Sequence, residues 1–153
     1  MKIESSVTID QPPSVVFEFM REEENMPLWV SNFKRLEQIT EHEDEVGSQT
    51  RQIFDDNGRE VEMVEEITAI VDDQLIEGIL KHESFTVTFS YVLDEVREDT
   101  TRVNATIEYI PNSLRYKIYL AFNNSGIQKR HEKDLQRLKK AIEWTEDPFQ
   151  DED

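Results

Sequence analysis

The chain has 153 residues, the length of one ordinary domain, and carries 34 acidic against 17 basic residues for a net charge of −17. A field of that sign repels nucleic acid and anionic membrane surfaces, and no apolar run reaches the roughly 18 residues of a spanning helix, so neither partner is expected. Cysteine is absent, which excludes disulfides and cysteine metal sites, and "MKIESSVTID" lacks the apolar stretch of a secretory signal, so a cytoplasmic setting is expected.

"KIESSVTI" reads as a first strand, with Ile3, Ser5, Val7 and Ile9 on one face. Asp10 offers an N-cap to a short helix whose first turn holds Pro12 and Pro13, where amide donors are not needed. Val16, Phe17 and Met20 give that helix one apolar face. After the polar break Glu22 to Glu24, "NMPLWVSNF" reads as a second short helix, with Asn25 as its cap and Pro27 in its first turn.

From Phe33 to Ile110 the chain turns to strands. "FKRLEQIT" runs into the acidic loop "EHEDEVG". "SQTRQIF" and "REVEMVEEITAI" flank "DDNG", a hairpin turn because Asn-Gly tolerates positive φ. "QLIEGIL", "SFTVTFSYVL" and "TRVNATIEYI" come next, the last two alternating cleanly between apolar and polar faces. The count is seven strands in an antiparallel sheet with one solvated side. Pro111 ends the sheet, and Asn112 or Ser113 can cap the next element. "LRYKIYLAF" fits both periods and is assigned to helix because it leads into one; "NNSG" reads as a break or kink. Ile127, His131, Leu135, Leu138 and Ile142 then form an apolar stripe at helical spacing, with Lys139 and Lys140 placed to complement the helix dipole. The domain therefore covers residues 1–145, and 146–153, "EDPFQDED", is a solvated acidic tail.

A sheet with one apolar face needs a cover, and the long amphipathic helix is the only element large enough. A curved sheet wrapped around one helix leaves space between them, and the two short helices stand where they close one end of it. Such a concave apolar space is where small ligands bind.

This order resembles the START-like (SRPBCC) superfamily with the helix-grip fold, in its polyketide cyclase/dehydrase-like branch. The stretches carrying the resemblance are "VTIDQPPSVVFEFMREEENMPLW", Val46-Gly47, the hairpin glycine Gly58, "EDTTRVNATIEY" and "LQRLKKAIE", from Lys2 to about Trp144. The resemblance implies an α+β helix-grip fold: a curved seven-stranded antiparallel sheet around a long C-terminal helix, with two short helices after strand 1. It implies a cavity for a hydrophobic ligand without naming the ligand. The superfamily includes lipid carriers, hormone receptors, aromatase/cyclases, quinone-binding proteins and co-chaperone-like domains.

Candidate cavity residues are given by the strand and helix faces. Trp29 stands at the end of the closing segment, with Phe33 and Leu28 as neighbours. Phe85, Phe89 and Tyr91 share a strand face, and Ile107 and Tyr109 share that of the next strand. Tyrosines matter more than phenylalanines there, since a buried hydroxyl needs a partner and can orient a ligand. With Asn57-Gly58 as a two-residue turn, Phe54 pairs with Val61, Gln52 with Met63 and Thr50 with Glu65 on one face. Phe54 and Met63 then line the space, and Glu65 either joins them as a desolvated acid–base group or is turned outward by a bulge at Glu65-Glu66. Phe122 and His131 are the candidates from the last helix, His131 being either a packing residue or a proton-transfer group titrating near neutrality. His42 and His82 have no evident partner, and the histidines lack metal spacing. No metal and no cofactor are expected.

Three functions fit: a carrier or sensor of a lipid, isoprenoid or polyketide-like aromatic; a cyclase/dehydrase-type lyase using His131, Glu65 and Tyr91; or a co-chaperone-like interaction module docking a protein partner through Arg130, Lys133 and Arg137. Oligomeric state is not set by any of these residues.

Overall fold

The computed structural model describes residues 1–41 and 45–145. His42 and the acidic tail 146–153 lie outside the described residues. Seven strands are joined into one antiparallel sheet: β1 (Lys2–Ile9), β2 (Phe33–Gln38), β3 (Gln49–Asp56), β4 (Arg59–Val71), β5 (Leu75–Lys81), β6 (Phe85–Arg97) and β7 (Thr100–Pro111). Their order is β1-β7-β6-β5-β4-β3-β2. Two short helices, α1 (Pro13–Arg21) and α2 (Met26–Trp29), come after β1, and one long helix, α3 (Leu114–Thr145), ends the described chain.

Residues of all seven strands and of α3 line one common cavity, which requires the sheet to curve around the helix. This is the helix-grip arrangement. The β3–β4 hairpin turns at Asn57 (φ 52°) and Gly58 (φ 88°), the pair of positive φ angles that Asn-Gly accommodates. Its register pairs Phe54 with Val61, Gln52 with Met63 and Thr50 with Glu65. An irregularity in β4 falls between Ile67 and Ala69, beyond Glu65-Glu66. The inward set Met63, Glu65, Ile67 is therefore continuous, and the phase changes only afterwards, to Ile70.

Helix α3 is held by an apolar stripe on its inner face: Ile127, Leu135, Leu138 and Ile142 are all buried. Each contributes on the order of 1.5–3 kcal/mol relative to exposure. At its far end Lys139 donates to the Thr8 carbonyl (2.8 Å) and to Glu143 (2.7 Å), while Glu143 accepts the Asp10 amide (3.0 Å). Those bonds tie the helix to the end of β1.

Several local expectations are corrected. α3 runs unbroken through "NNSG", because Gly126 has a helical φ and burial of Leu120 and Ile127 on either side keeps one face down. Asp10 does not cap α1: Pro12 is the N-cap, without a side-chain bond, and Asp10 is engaged by Glu143. Asn25 holds the N-cap position of α2 as expected but makes no side-chain cap bond; its amide donates to the Phe19 carbonyl at 3.2 Å. Ser113 does cap α3, its hydroxyl accepting the Tyr116 amide at 3.1 Å. No basic residue stands in the last turn of α3; Lys139 serves the Thr8 carbonyl, not the helix dipole. In the first half of α3 the outward stripe is Leu114, Ile118 and Phe122, and the covered side is Tyr116, Tyr119 and Leu120. Among the described residues no helix is long and apolar enough to cross a membrane.

Candidate ligand cavity

The space between sheet and helix is a cavity of about 180 Å³. Its floor is apolar, built on alternating positions of neighbouring strands: Ile76 and Leu80 from β5, Val87 and Phe89 from β6, Ala105 and Ile107 from β7. The β3–β4 side is more polar, with Ser48, Thr50, Gln52 and Glu65. Met26, Trp29 and Val30 close one end.

Trp29 is 5% exposed and meets Tyr91 edge-on, with ring centroids 5.9 Å apart. α2 is too short to hold itself in place by backbone bonds, so α3 holds it. Arg137 donates to the Pro27 and Leu28 carbonyls (3.2 and 3.3 Å), and Asp134 accepts the Ser31 amide (3.2 Å). Burial raises the Asp134 pKa, and its bonds with Ser31 and the cations Arg130 and Arg137 oppose that rise.

A hydrogen-bonded cluster from β7 and α3 stands on the cavity wall. The Tyr109 hydroxyl lies 2.7 Å from His131 Nε2, and Arg130 Nη2 donates to that hydroxyl at 2.9 Å. The same arginine nitrogen is 3.3 Å from His131 Nε2. Arginine has no lone pair to accept with, so Nε2 is the acceptor and the ring proton sits on Nδ1. Burial, reinforced by the neighbouring Arg130 charge, pushes the His131 pKa down to about 3. His131 is therefore neutral at pH 7 and does not titrate near neutrality as its residue type suggested. Burial raises the Tyr109 phenol, opposed by Arg130, and raises Tyr91 well above its usual value, with Asp134 and Glu65 adding to it.

Of the residues singled out in the sequence, Trp29, Phe54, Met63, Glu65, Phe89, Tyr91, Ile107, Tyr109 and His131 all line this cavity. Three do not. Phe33 packs edge-on beside Phe54 (6.1 Å), its partner on the neighbouring strand. Phe85 is buried beyond the cavity's end, stacked on Tyr116 at 4.1 Å, because the first turns of α3 cover that part of β6. Phe122 is 84% exposed, on the face of α3 turned away from the sheet.

Arg130, Asp134, Gln52, Thr50 and Ser48 also line the cavity; Arg130 was expected on a docking face instead, and Thr50 and Gln52 were paired with inward residues without being named as cavity candidates. Asp134 was legible: it lies seven residues after Ile127 and four before Leu138, on the same stripe. The side chains of "SQTRQ" are polar on both faces, so for Thr50 and Gln52 the only signal was the hairpin register that sets them opposite Glu65 and Met63. Among the described residues, lining side chains with a buried polar atom that has no hydrogen-bond partner include Trp29 (Nε1), Arg130 (Nε), Gln52 (Oε1) and Ser5 (Oγ). Buried polar atoms are nearly always satisfied, so these are positions where a bound molecule has partners waiting. Among the described residues no group of three or more histidine or carboxylate side chains is placed to hold a metal ion.

A family profile described as polyketide cyclase/dehydrase and lipid transport matches residues 1–143. The chain belongs to this family. The solved structures similar to this cyclase/dehydrase and lipid-transport family member agree on the fold. The Zhui aromatase/cyclase of a Streptomyces species superposes with a TM-score of 0.79 at 11% identity, covering 94% of this chain and 93% of that one. A Thermus thermophilus protein reaches 0.78 at 17% identity, over 95% and 99%. A START superfamily protein of Mycobacterium smegmatis reaches 0.66 at 13% identity, over 90% and 98%. At these identities the likeness is one of fold. No curated protein matches the chain.

Proposed function

We propose that the protein binds a small, uncharged hydrophobic molecule bearing hydrogen-bonding oxygens, as a carrier or sensor. The observation that carries this reading is the pairing of an apolar floor with unpartnered buried polar atoms on Trp29, Arg130 and Gln52. The floor rewards burial of hydrocarbon at about 25 cal/mol per Å². The orphan donors and acceptor reward a carbonyl or hydroxyl placed against them. A lipid, isoprenoid or polyketide-like aromatic has this chemistry.

A cyclase/dehydrase reading draws on Tyr109, His131, Glu65 and Tyr91, which share the cavity wall. Its proton-transfer step is disfavoured by the His131 environment: a base with a pKa of about 3 is a poor proton acceptor at neutral pH, though a good hydrogen-bond acceptor. The interaction-module reading is weakened because Arg130 and Arg137 are turned to Tyr109 and to the α2 carbonyls.

Native mass spectrometry of freshly purified protein, followed by solvent extraction, tests the binding reading. A retained hydrophobic molecule, or micromolar binding of the neutral fluorophore N-phenyl-1-naphthylamine, is the expected result. Protein that is empty and binds neither the fluorophore nor any member of a lipid and aromatic panel overturns it.

A further inference from the structure

Gly78 sits in the middle of β5 with Phe89 of β6 as its cross-strand partner. Its neighbours at alternate positions, Ile76 and Leu80, both face the cavity. A side chain at position 78 would face it too. Gly78 does not have a positive φ, so the backbone conformation does not call for glycine here. Space does: a Cβ on this residue would stand 2.4 Å from Phe89 Cζ, 2.9 Å from Phe89 Cε1 and 2.9 Å from the Glu66 carbonyl oxygen. The ring of Phe89 thus occupies the place where a side chain on residue 78 would be, folded down against the sheet. The Glu66 carbonyl, close to the irregularity in β4, is backbone and has little room to yield.

Phe89 also stands at a junction. With Tyr91 it packs against both parts of the hydrophobic core, the one beneath α1 and α2 and the one beneath the first turns of α3. Phe89 and Tyr91 have ring centroids 5.9 Å apart, and Tyr91 is as far from Trp29, so the floor connects through aromatic contacts to the closing segment.

We propose that the Gly78–Phe89 pair sets the upper size limit of the molecule the cavity accepts. This inference rests on the binding reading above. Glycine at 78 lets the ring lie flat and leaves the middle of the cavity open; any side chain there pushes the ring up from the floor. Shape, not hydrogen bonding, then decides which homologue of a ligand series fits.

The test is displacement of N-phenyl-1-naphthylamine by straight-chain alcohols from hexanol to tetradecanol, with wild type, G78A, F89A and G78A/F89A. Affinity should rise about fourfold per methylene up to a cut-off, then fall. In G78A the cut-off should move shorter by at least one methylene, and in F89A longer. The double variant should recover at least the wild-type cut-off, because the added Cβ no longer displaces a ring into the cavity. The remaining contact with the Glu66 carbonyl bears on stability, not on the cavity's length. A merely destabilising substitution would not be rescued this way. If G78A does not fold, F89A and F89L decide, the cut-off lengthening in both. Equal cut-offs in wild type and every folded variant overturn the proposal while leaving binding intact. Failure of wild type to bind the fluorophore or any alcohol overturns the binding reading itself, and the size limit with it.

Discussion

The Tyr109 hydroxyl donates to His131 Nε2 across 2.7 Å while accepting from Arg130, so a phenol joins β7 to two successive residues of α3. Because the imidazole must accept, protonating it breaks the bond and puts two cations side by side. The folded pKa, near 3, lies below the ordinary 6.5, so stability from this group is complete above about pH 6.5 and declines as pH falls toward 3. Urea melts of wild type and H131Q at pH 7, 5 and 4 should show a smaller acid-side loss in the variant. Equal losses would mean that His131 charges freely in the folded protein.

Asp134 works in the opposite direction. Its pKa is raised, so the folded protein favours the protonated form and the carboxylate costs stability as pH rises through the folded value. D134N keeps an oxygen for the Ser31 amide and removes the buried charge. It should be as stable as wild type at pH 7, or more so. D134A strands the amide and should lose about 1–3 kcal/mol. Chemical denaturation of the two variants checks the contrast; equal losses would mean that the charge itself is required.

The two tryptophans should behave as opposites. Trp29 is buried at the cavity and Trp144 is 67% exposed. In a W144F variant the remaining emission should be blue-shifted, resist iodide quenching and respond to N-phenyl-1-naphthylamine. W29A should lose about 3–5 kcal/mol of stability. Iodide quenching of W144F as efficient as that of free tryptophan would contradict the closed position of α2.

Gly126 lies in an uninterrupted helix with open space around its missing side chain. G126A should therefore stabilise the protein by about 1 kcal/mol. G58A, at φ 88°, should destabilise it. Thermal melts of both separate helix from turn: a destabilised G126A would indicate the kink that "NNSG" suggested.

Phe122 and Phe85 give a paired contrast. F122S should change stability by no more than about 0.5 kcal/mol and leave fluorophore binding unaltered. F85A should cost about 3–5 kcal/mol through loss of the buried stack with Tyr116. Urea melts and fluorophore titrations of each read both quantities.

Strand alternation, the Asn57-Gly58 turn and the stripe from Ile127 to Ile142 are local patterns, and each was readable because burial on one face imposes period 2 or 3.6 on the residues themselves. They determined the order of strands and helices, the β3–β4 register and the presence of a covered apolar face. What they left open was where that face is core and where it is cavity. Phe85 and Phe89 share one face of one strand, yet the former is buried under α3 and the latter lines the cavity. Only the position of α3 over the sheet separates them. Likewise Leu114, Ile118 and Phe122 have helical spacing, but which side of α3 meets the sheet is decided by the competing stripe of Tyr116, Tyr119 and Leu120. The neutral state of His131 and the crowding at Gly78 arise from partners 22 and 11 residues away, Tyr109 and Phe89. Periodicity records which way a residue faces; desolvation and contact depend on what the rest of the chain places opposite it.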